Sequence, residues 1–306
     1  MISITSHRFM DGINGNIDNS LEAFRNVLKL SYVDELECDI QMTKDNIPVL
    51  VHDPNLKSIS LIDSEKRNIR NYTFVELKNI PVQDIRGYYK GLYLRSFLFR
   101  YGGKERTIYS KKLKSGAFIT KLEDVLNELP KNKRLLVEVK IPDITEKDLD
   151  IIAGVVNNYP DKDILFQGYN HEAILKLKKL TNRLSGALLG LPIKHAVKIY
   201  NCQNAEYVKK DEFDFYSAMW SLIAGSSLVY NSYGVNASET IIKENKGLRI
   251  WTMDSHMHFN IASKTIEMLT KRECILTQNN FGIITSFPFL YYEHIEKNQQ
   301  KQKKSL

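Results

Sequence analysis

The amino-acid sequence predicts an α/β protein built as a TIM-type (β/α)8 barrel, and three observations carry that reading. Short β-rich runs alternate with amphipathic helical stretches from one end of the chain to the other, which is the pattern of βαβ units around a parallel sheet. The length of 306 residues exceeds the usual domain of ~100–200 residues but falls within the span that one α/β barrel fills. Hydrophobic residues make up 43% of the chain and charged residues 26%; that balance supplies a large core and excludes disorder on a domain scale.

The first strand is expected at Ile2–Ser6, inside an N-terminal MISITSHRFM that lacks the basic start, apolar stretch and small-residue cleavage site of a signal peptide. Asn19-Ser20 followed by LEAFRNVLKL offers a cap and then apolar positions at helical spacing. Strands are next expected at Leu36–Ile40 and Ile47–His52, joined by a turn around Lys44-Asp45-Asn46. One long irregularity then runs from Pro54 to about Gly116. It contains the helical segment TFVELKNI and an aromatic and basic stretch with Tyr88, Tyr89, Tyr93, Phe97 and Arg95. A βα connection emerges on the C-terminal face of a barrel, where active sites are built, so this insertion is a lid candidate over the site; a satellite hydrophobic cluster with solvated Lys and Arg is the competing reading. Beyond it ITKLEDVLNEL repeats the helical pattern before Pro130. Further strands are expected at Arg134–Val139, Asp163–Gln167, Leu184–Leu189, Phe213–Ala218, Leu248–Met253 and Gly282–Thr285. Nine strands compete for eight barrel places, so one is surplus or mistaken. The expected organisation is a single barrel over residues 1–293, with residues 54–116 inserted between the third and fourth strands. Residues 294–306 are expected to be a basic, disordered tail, too polar to pack.

Charge and cysteines narrow the partners. The formal charge is +7, of which the segment from Glu296 onward supplies +3 through Lys297, Lys301, Lys303 and Lys304 against one acid. The remainder is a mild bias toward anionic ligands, well short of a nucleic-acid footprint. Cys38, Cys202 and Cys274 are odd in number and widely spaced, so no disulfide framework or cysteine zinc site is readable, and a reducing compartment is expected. No apolar run approaches the ~18–20 residues of a spanning helix. The expected setting is the cytoplasm, without stable membrane insertion; homo-oligomerisation is left open.

Four successive strands end in ionisable groups: ITSHR with His7 and Arg8, LECDI with Glu37 and Asp39, PVLVHD with His52 and Asp53, and LLVEVK with Glu138 and Lys140. Residues at i and i+2 of a strand share a face, so Glu37 sits with Asp39 and Glu138 with Lys140. Buried charges cost several kcal/mol or more per ion unless paired or bound to a metal, so charges ending apolar strands demand a partner. Three carboxylates without a nearby cysteine suit one hard divalent cation, Ca2+ or Mg2+. A lone strand-end histidine is commonly structural; here the whole constellation argues for catalysis by His7 and His52. Asp53 before Pro54 is equally well read as a turn former.

The order SHR, NSLEAF, ELECDIQMTKDNIPVLVHD and LLVEVK resembles the glycerophosphodiester phosphodiesterase family, and the late segments LRIWTMD and FGIITSFP are similar to its closing blocks. The resemblance spans nearly the whole chain and is most specific from Glu37 to Asp53. It implies a TIM barrel with a divalent cation on Glu37, Asp39 and Glu138, catalysis by His7 and His52, and phosphate contacts from Arg8 and Lys140. Trp251 would be a wall for the alcohol portion, a role that competes with a plain core position. The implied activity is metal-dependent hydrolysis of a small-molecule or polymer-linked glycerophosphodiester to a phosphomonoester and an alcohol. A cyclising lyase of the phospholipase D-like kind on a similar barrel, and a catalytically silent barrel acting as a binding module, are the alternatives. The chain departs from the family pattern at Phe9-Met10, where glycine usually follows His-Arg, so the first loop is expected to be shaped differently. It departs again at Ile17-Asp18-Asn19-Ser20, Gly168-Tyr169-Asn170 and Thr285-Ser286-Phe287-Pro288. These departures bear on which substrate is taken.

Overall fold

The computed structural model describes residues 2–12, 16–56, 68–82, 117–190, 212–219, 232–251, 256–289 and 291–293. Among them ten strands form one sheet: β1 (Ser3–Ser6), β2 (Glu35–Met42), β3 (Pro48–Leu50), β4 (Thr120–Lys121), β5 (Arg134–Val139), β6 (Asp163–Gly168), β7 (Ser185–Leu189), β8 (Phe215–Met219), β9 (Gly247–Trp251) and β10 (Phe281–Thr285). The order is β1-β10-β9-β8-β7-β6-β5-β2-β3-β4, and an additional pairing of β1 with β2 closes the ring. Every pairing within the ring is parallel. The result is an eight-stranded parallel barrel of β1, β2 and β5 to β10, as expected.

The surplus strand is β3. It runs antiparallel to β2, with Ile40 opposite Leu50 and Met42 opposite Pro48, and β4 continues it antiparallel. The turn explains this. Thr43 N–H bonds Ile47 O at 3.1 Å and Asn46 takes φ of 60°. So short a connection can only send the chain back antiparallel, because a parallel crossover needs a dozen or more residues. LLVEVK is therefore the third barrel strand, not the fourth, and the long insertion lies between the second and third. Of that insertion, residues 57–67 and 83–116, which include the aromatic and basic stretch, lie outside the described residues, as do Met253 and residues 294–306.

The helices form where caps meet apolar spacing. In α1 (Leu21–Leu28) the Ser20 hydroxyl accepts from Ala23 N–H. Capping boxes open α2 (Phe74–Leu77), through Thr73 and Glu76, and α4 (Glu146–Asn157), through Thr145 and Asp148, satisfying otherwise orphaned N–H groups. The remaining helices are α3 (Leu122–Glu128), α5 (His171–Thr181), α6 (Ser232–Lys243) and α7 (His256–Lys271). Among the described residues no helix is long and apolar enough to cross a membrane.

Strand alternation sorts the side chains into two compartments. Leu36, Cys38 and Ile40 of β2, with Leu135, Val137 and Val139 of β5, point outward and join Phe24, Val27 and Ile152 of the helices in the main core. Leu136, Leu165, Phe215 and Ile284 point inward and fill the barrel as a separate cluster, with Trp251 against it. Gly186 permits this filling: a Cβ there would lie 2.1 Å from the Phe215 ring. Toward the C-terminal mouth the inward positions of β2 and β5 carry Glu37, Asp39, Gln41 and Glu138, all buried.

Candidate active site

Glu37 and Asp39 stand on the inner face of β2, and Glu138 faces them from β5, where Asp39 is paired with Glu138 in register. All three are buried. Their ligand atoms lie within 4.8 Å of one another, a group that could hold a metal ion. Glu37 Oε1, Asp39 Oδ1 and Glu138 Oε1 are buried and receive no hydrogen bond, although the Lys140 ammonium stands 3.5 Å from Asp39 Oδ1 and 3.2 Å from Glu138 Oε1. Buried oxygens left without donors are costly, and a hard divalent cation with oxygen ligands fits them.

The electrostatics have the same sense. Burial, then the charges of Asp39 and Glu138, pushes the Glu37 carboxyl well above the usual carboxylate range. Burial and then Asp39 raise Glu138, against the pull of Lys140. Burial would raise Asp39 too, but Arg8 and Lys140 outweigh it and hold this carboxyl below its ordinary value. Three acids thus share two fixed cations, and the shortfall is one that a divalent ion would make good.

The imidazoles flank this cluster. His7 follows β1 and places Nε2 4.0 Å from Glu37 Oε2, while Nδ1 lies 3.2 Å from Ser286 Oγ. Burial, then the Arg8 cation, lowers its pKa well below the usual imidazole value. His52 follows β3. Its Nδ1 lies 2.9 Å from Asp53 Oδ1, and its Nε2 contacts Lys140 Nζ. Burial would lower Lys140, but Asp39 and Glu138 outweigh it and keep the ammonium protonated. An ammonium can only donate, so Nε2 of His52 accepts and its Nδ1–H donates to Asp53. The ambiguous Asp53 therefore contacts the ring it follows.

The loop after β1 is strained into place. Arg8 and Phe9 take φ of 53° and 62°, a left-handed pair rare for bulky residues. Phe9 is fully buried and meets Phe24 edge-on at 5.2 Å, which anchors the turn in a glycine-like conformation without glycine. The turn aims Arg8 N–H at Glu37 Oε2, 2.8 Å away, and sets Arg8 Nε 3.2 Å from Asp39 Oδ2. Trp251 ends β9, donates Nε1–H to Ser217 O at 3.0 Å and meets Tyr169 edge-on at 6.4 Å. Burial, then the charge of Glu138, pushes the Tyr169 hydroxyl above its ordinary pKa.

The expected acids, imidazoles, Arg8 and Lys140 are thus brought together, with Trp251 on a more distant strand. Sequence reasoning missed three contributors. Asn19, with φ of 56°, donates to Asp39 Oδ2 and accepts from Asp39 N–H, both at 3.0 Å. Gln41 bonds the carbonyls behind His52 and Lys140, and Ser286 contacts His7. Gln41 carried a readable signal, being two residues beyond Asp39 on the same strand face; Ser286 carried none.

A parallel barrel with a buried acid triad, two imidazoles and two cations at its C-terminal mouth has the form of a phosphodiester hydrolase. The comparisons make the class specific. Residues 6–215 match the model of the glycerophosphoryl diester phosphodiesterase family. A glycerophosphodiester phosphodiesterase of Bacillus altitudinis is 24% identical over 210 residues, covering 65% of this chain and 71% of that one. The structure of a Thermotoga maritima glycerophosphodiester phosphodiesterase superposes with a TM-score of 0.61 at 18% identity, covering 96% of this chain and 98% of that one. An Oleispira antarctica phosphodiesterase, solved in complex with its product sn-glycerol-3-phosphate, superposes with a TM-score of 0.63 at 14% identity, covering 96% of each. These structural likenesses establish the TIM-barrel fold. The chain belongs to the glycerophosphoryl diester phosphodiesterase family, a family of phosphoric diester hydrolases.

Proposed function

We propose that this protein hydrolyses a glycerophosphodiester to a glycerol 3-phosphate-like monoester and an alcohol, with a divalent cation, Ca2+ or Mg2+, on Glu37, Asp39 and Glu138. The observation that carries the reading is the gathering of three buried carboxylates within 4.8 Å between the two imidazoles. When bound, the cation would supply charge stabilisation to a phosphoryl oxygen. Arg8 and Lys140 neutralise the remaining phosphate charge through charge-assisted hydrogen bonds. One imidazole takes a proton from the nucleophile and the other, entering the step protonated, gives its own proton to the leaving alkoxide, work suited to imidazole near neutral pH. His7 is steadied by Ser286 and His52 by Asp53, and Trp251 borders the alcohol portion. The product named for the Oleispira antarctica relative supports glycerol 3-phosphate as the monoester.

The test is phosphorus NMR on the purified protein with glycerophosphodiesters of different alcohols and with polymer-linked diesters. Release of a monoester, lost with EDTA and restored by Ca2+ or Mg2+, is expected. A cyclic phosphate product would replace hydrolysis by cyclisation, and a flat response across the panel would make the barrel a binding module.

A further inference from the structure

We propose that Gln41 is a positioning residue that sets the separation of His52 and Lys140. In its C-terminal half β2 is flanked by β3 on one side and β5 on the other. The ladders run out at the mouth: Val51 N–H bonds Asp39 O at 3.0 Å and Lys140 N–H bonds Ile40 O at 3.2 Å. The carbonyls of His52 and Lys140 lie just past these bonds. Gln41 stands on the inward face, one step above Asp39, and is buried. Its side-chain amide donates to His52 O at 3.1 Å and to Lys140 O at 3.0 Å. One NH2 group therefore holds the backbones of the two residues whose side chains touch at His52 Nε2 and Lys140 Nζ.

The pairing needs such a clasp. β3 is only three residues long and its backbone bonds to β2 end at Val51, so His52 stands one residue past the last of them. Lys140 directly follows barrel strand β5, and its N–H is held by Ile40 O. An amide with two donors, mounted on the strand between them, is the group that can tie the His52 and Lys140 carbonyls to one point; a carboxylate has no donor and a hydroxyl has only one. The dependence of turnover on this tie rests on the roles proposed above for His52 and Lys140.

The experiment compares the full-length wild type with Gln41→Leu, which keeps the volume and removes both donors. The readouts are steady-state kinetics on the best diester of the panel and the ring nitrogen resonances of His52, assigned with the His52→Ala variant. A fall in kcat of about 10- to 100-fold with KM within about twofold is expected, since misplacement of a reacting group by an ångström costs on that order. The His52 resonances should move while those of His171 stay. Unchanged kcat, or unmoved His52 resonances in a folded variant, overturns the proposal. Should Gln41→Leu fail to fold, Gln41→Asn, whose shorter chain reaches at most one carbonyl, is expected to give a smaller loss in kcat and the same direction of resonance shift; wild-type values in both would overturn it. If the wild type cleaves no diester, the functional reading fails, and the resonances alone still decide whether Gln41 positions His52.

Discussion

Glu35 of β2 and Arg249 of β9 meet across the barrel interior in a bidentate ion pair of 2.8 and 2.7 Å. Both are buried, Thr5 Oγ1 donates to the same carboxylate at 3.0 Å, and the guanidinium lies 4.2 Å over the Phe215 ring. Glu35 shares a strand face with Glu37 and Asp39 but sits at the opposite end of β2, below the apolar plug. The same strand face therefore carries a structural acid at the bottom and the acids of the site at the top. What separates the two roles is the partner: Glu35 has a fixed cation opposite it, whereas Glu37, Asp39 and Glu138 have too few.

Arg249→Met is expected to destabilise the fold by about 3–5 kcal/mol, because it leaves Glu35 buried and unpaired. Combining it with Glu35→Leu is expected to recover most of that loss, since an apolar pair of similar volume has no stranded charge. Urea unfolding of the two single variants and the double variant measures the coupling; simple additivity would show that the pair does not act as a unit.

Acid stability has a defined contribution from Asp148. Burial would raise this carboxyl, but the Arg70 hydrogen bond and the Thr145 cap outweigh it and lower its pKa; Arg70 Nη2 lies 2.7 Å from Asp148 Oδ2. A group depressed in the folded state contributes stability that is present above the unfolded carboxylate value and is lost as pH falls through the folded one. The wild type should therefore weaken below pH ~4. Asp148→Asn should be less stable at pH 7 and show a flatter acid limb in thermal unfolding across pH 7 to 3.

His7→Ala and His52→Ala are each expected to lower kcat by about 10²–10⁴-fold while the folded state survives, as loss of a general acid or base does. Circular dichroism and kinetics on the same preparations check both halves. A variant that keeps wild-type kcat removes that imidazole from the mechanism.

Chelation should abolish turnover, and Ca2+ or Mg2+ should restore it. The cation should also raise the melting temperature, since a ligand at 100 times its Kd adds about 2.7 kcal/mol to the folded state. Alanine at both Glu37 and Glu138 should remove that rise. A cation-induced rise that survives the double change would place the ion elsewhere.

Asn19→Ala is expected to reduce activity or cation affinity by about 10–100-fold, the usual consequence of losing a group that orients a ligand. Both hydrogen bonds to Asp39 disappear, and alanine tolerates the left-handed backbone at this position less well than asparagine. Calorimetric titration with Ca2+ or Mg2+ measures the affinity directly.

Local spacing made much of this legible. The i, i+2 acids of LECDI, the His-Arg after the first strand and the Glu-x-Lys of LLVEVK are adjacent in the chain, and strand geometry alone puts each pair on a common face. The Ser20 cap and the turn at Asn46 are equally local. Ile47–His52 read as a barrel-type strand because its apolar run is the same whether it pairs parallel or antiparallel; the brevity of the preceding turn decides the matter.

What the sequence determined by itself is the alternation that makes a barrel and the identity of the groups at its mouth, because both follow from short-range periodicity and residue chemistry. What only the tertiary structure decided is which distant residues answer those groups: Arg249 opposite Glu35, Asn19 on Asp39, Ser286 on His7, and Gln41 between His52 and Lys140. The physical reason is that closing the ring brings together strands far apart in the chain, and nothing in the local pattern of either partner specifies the other.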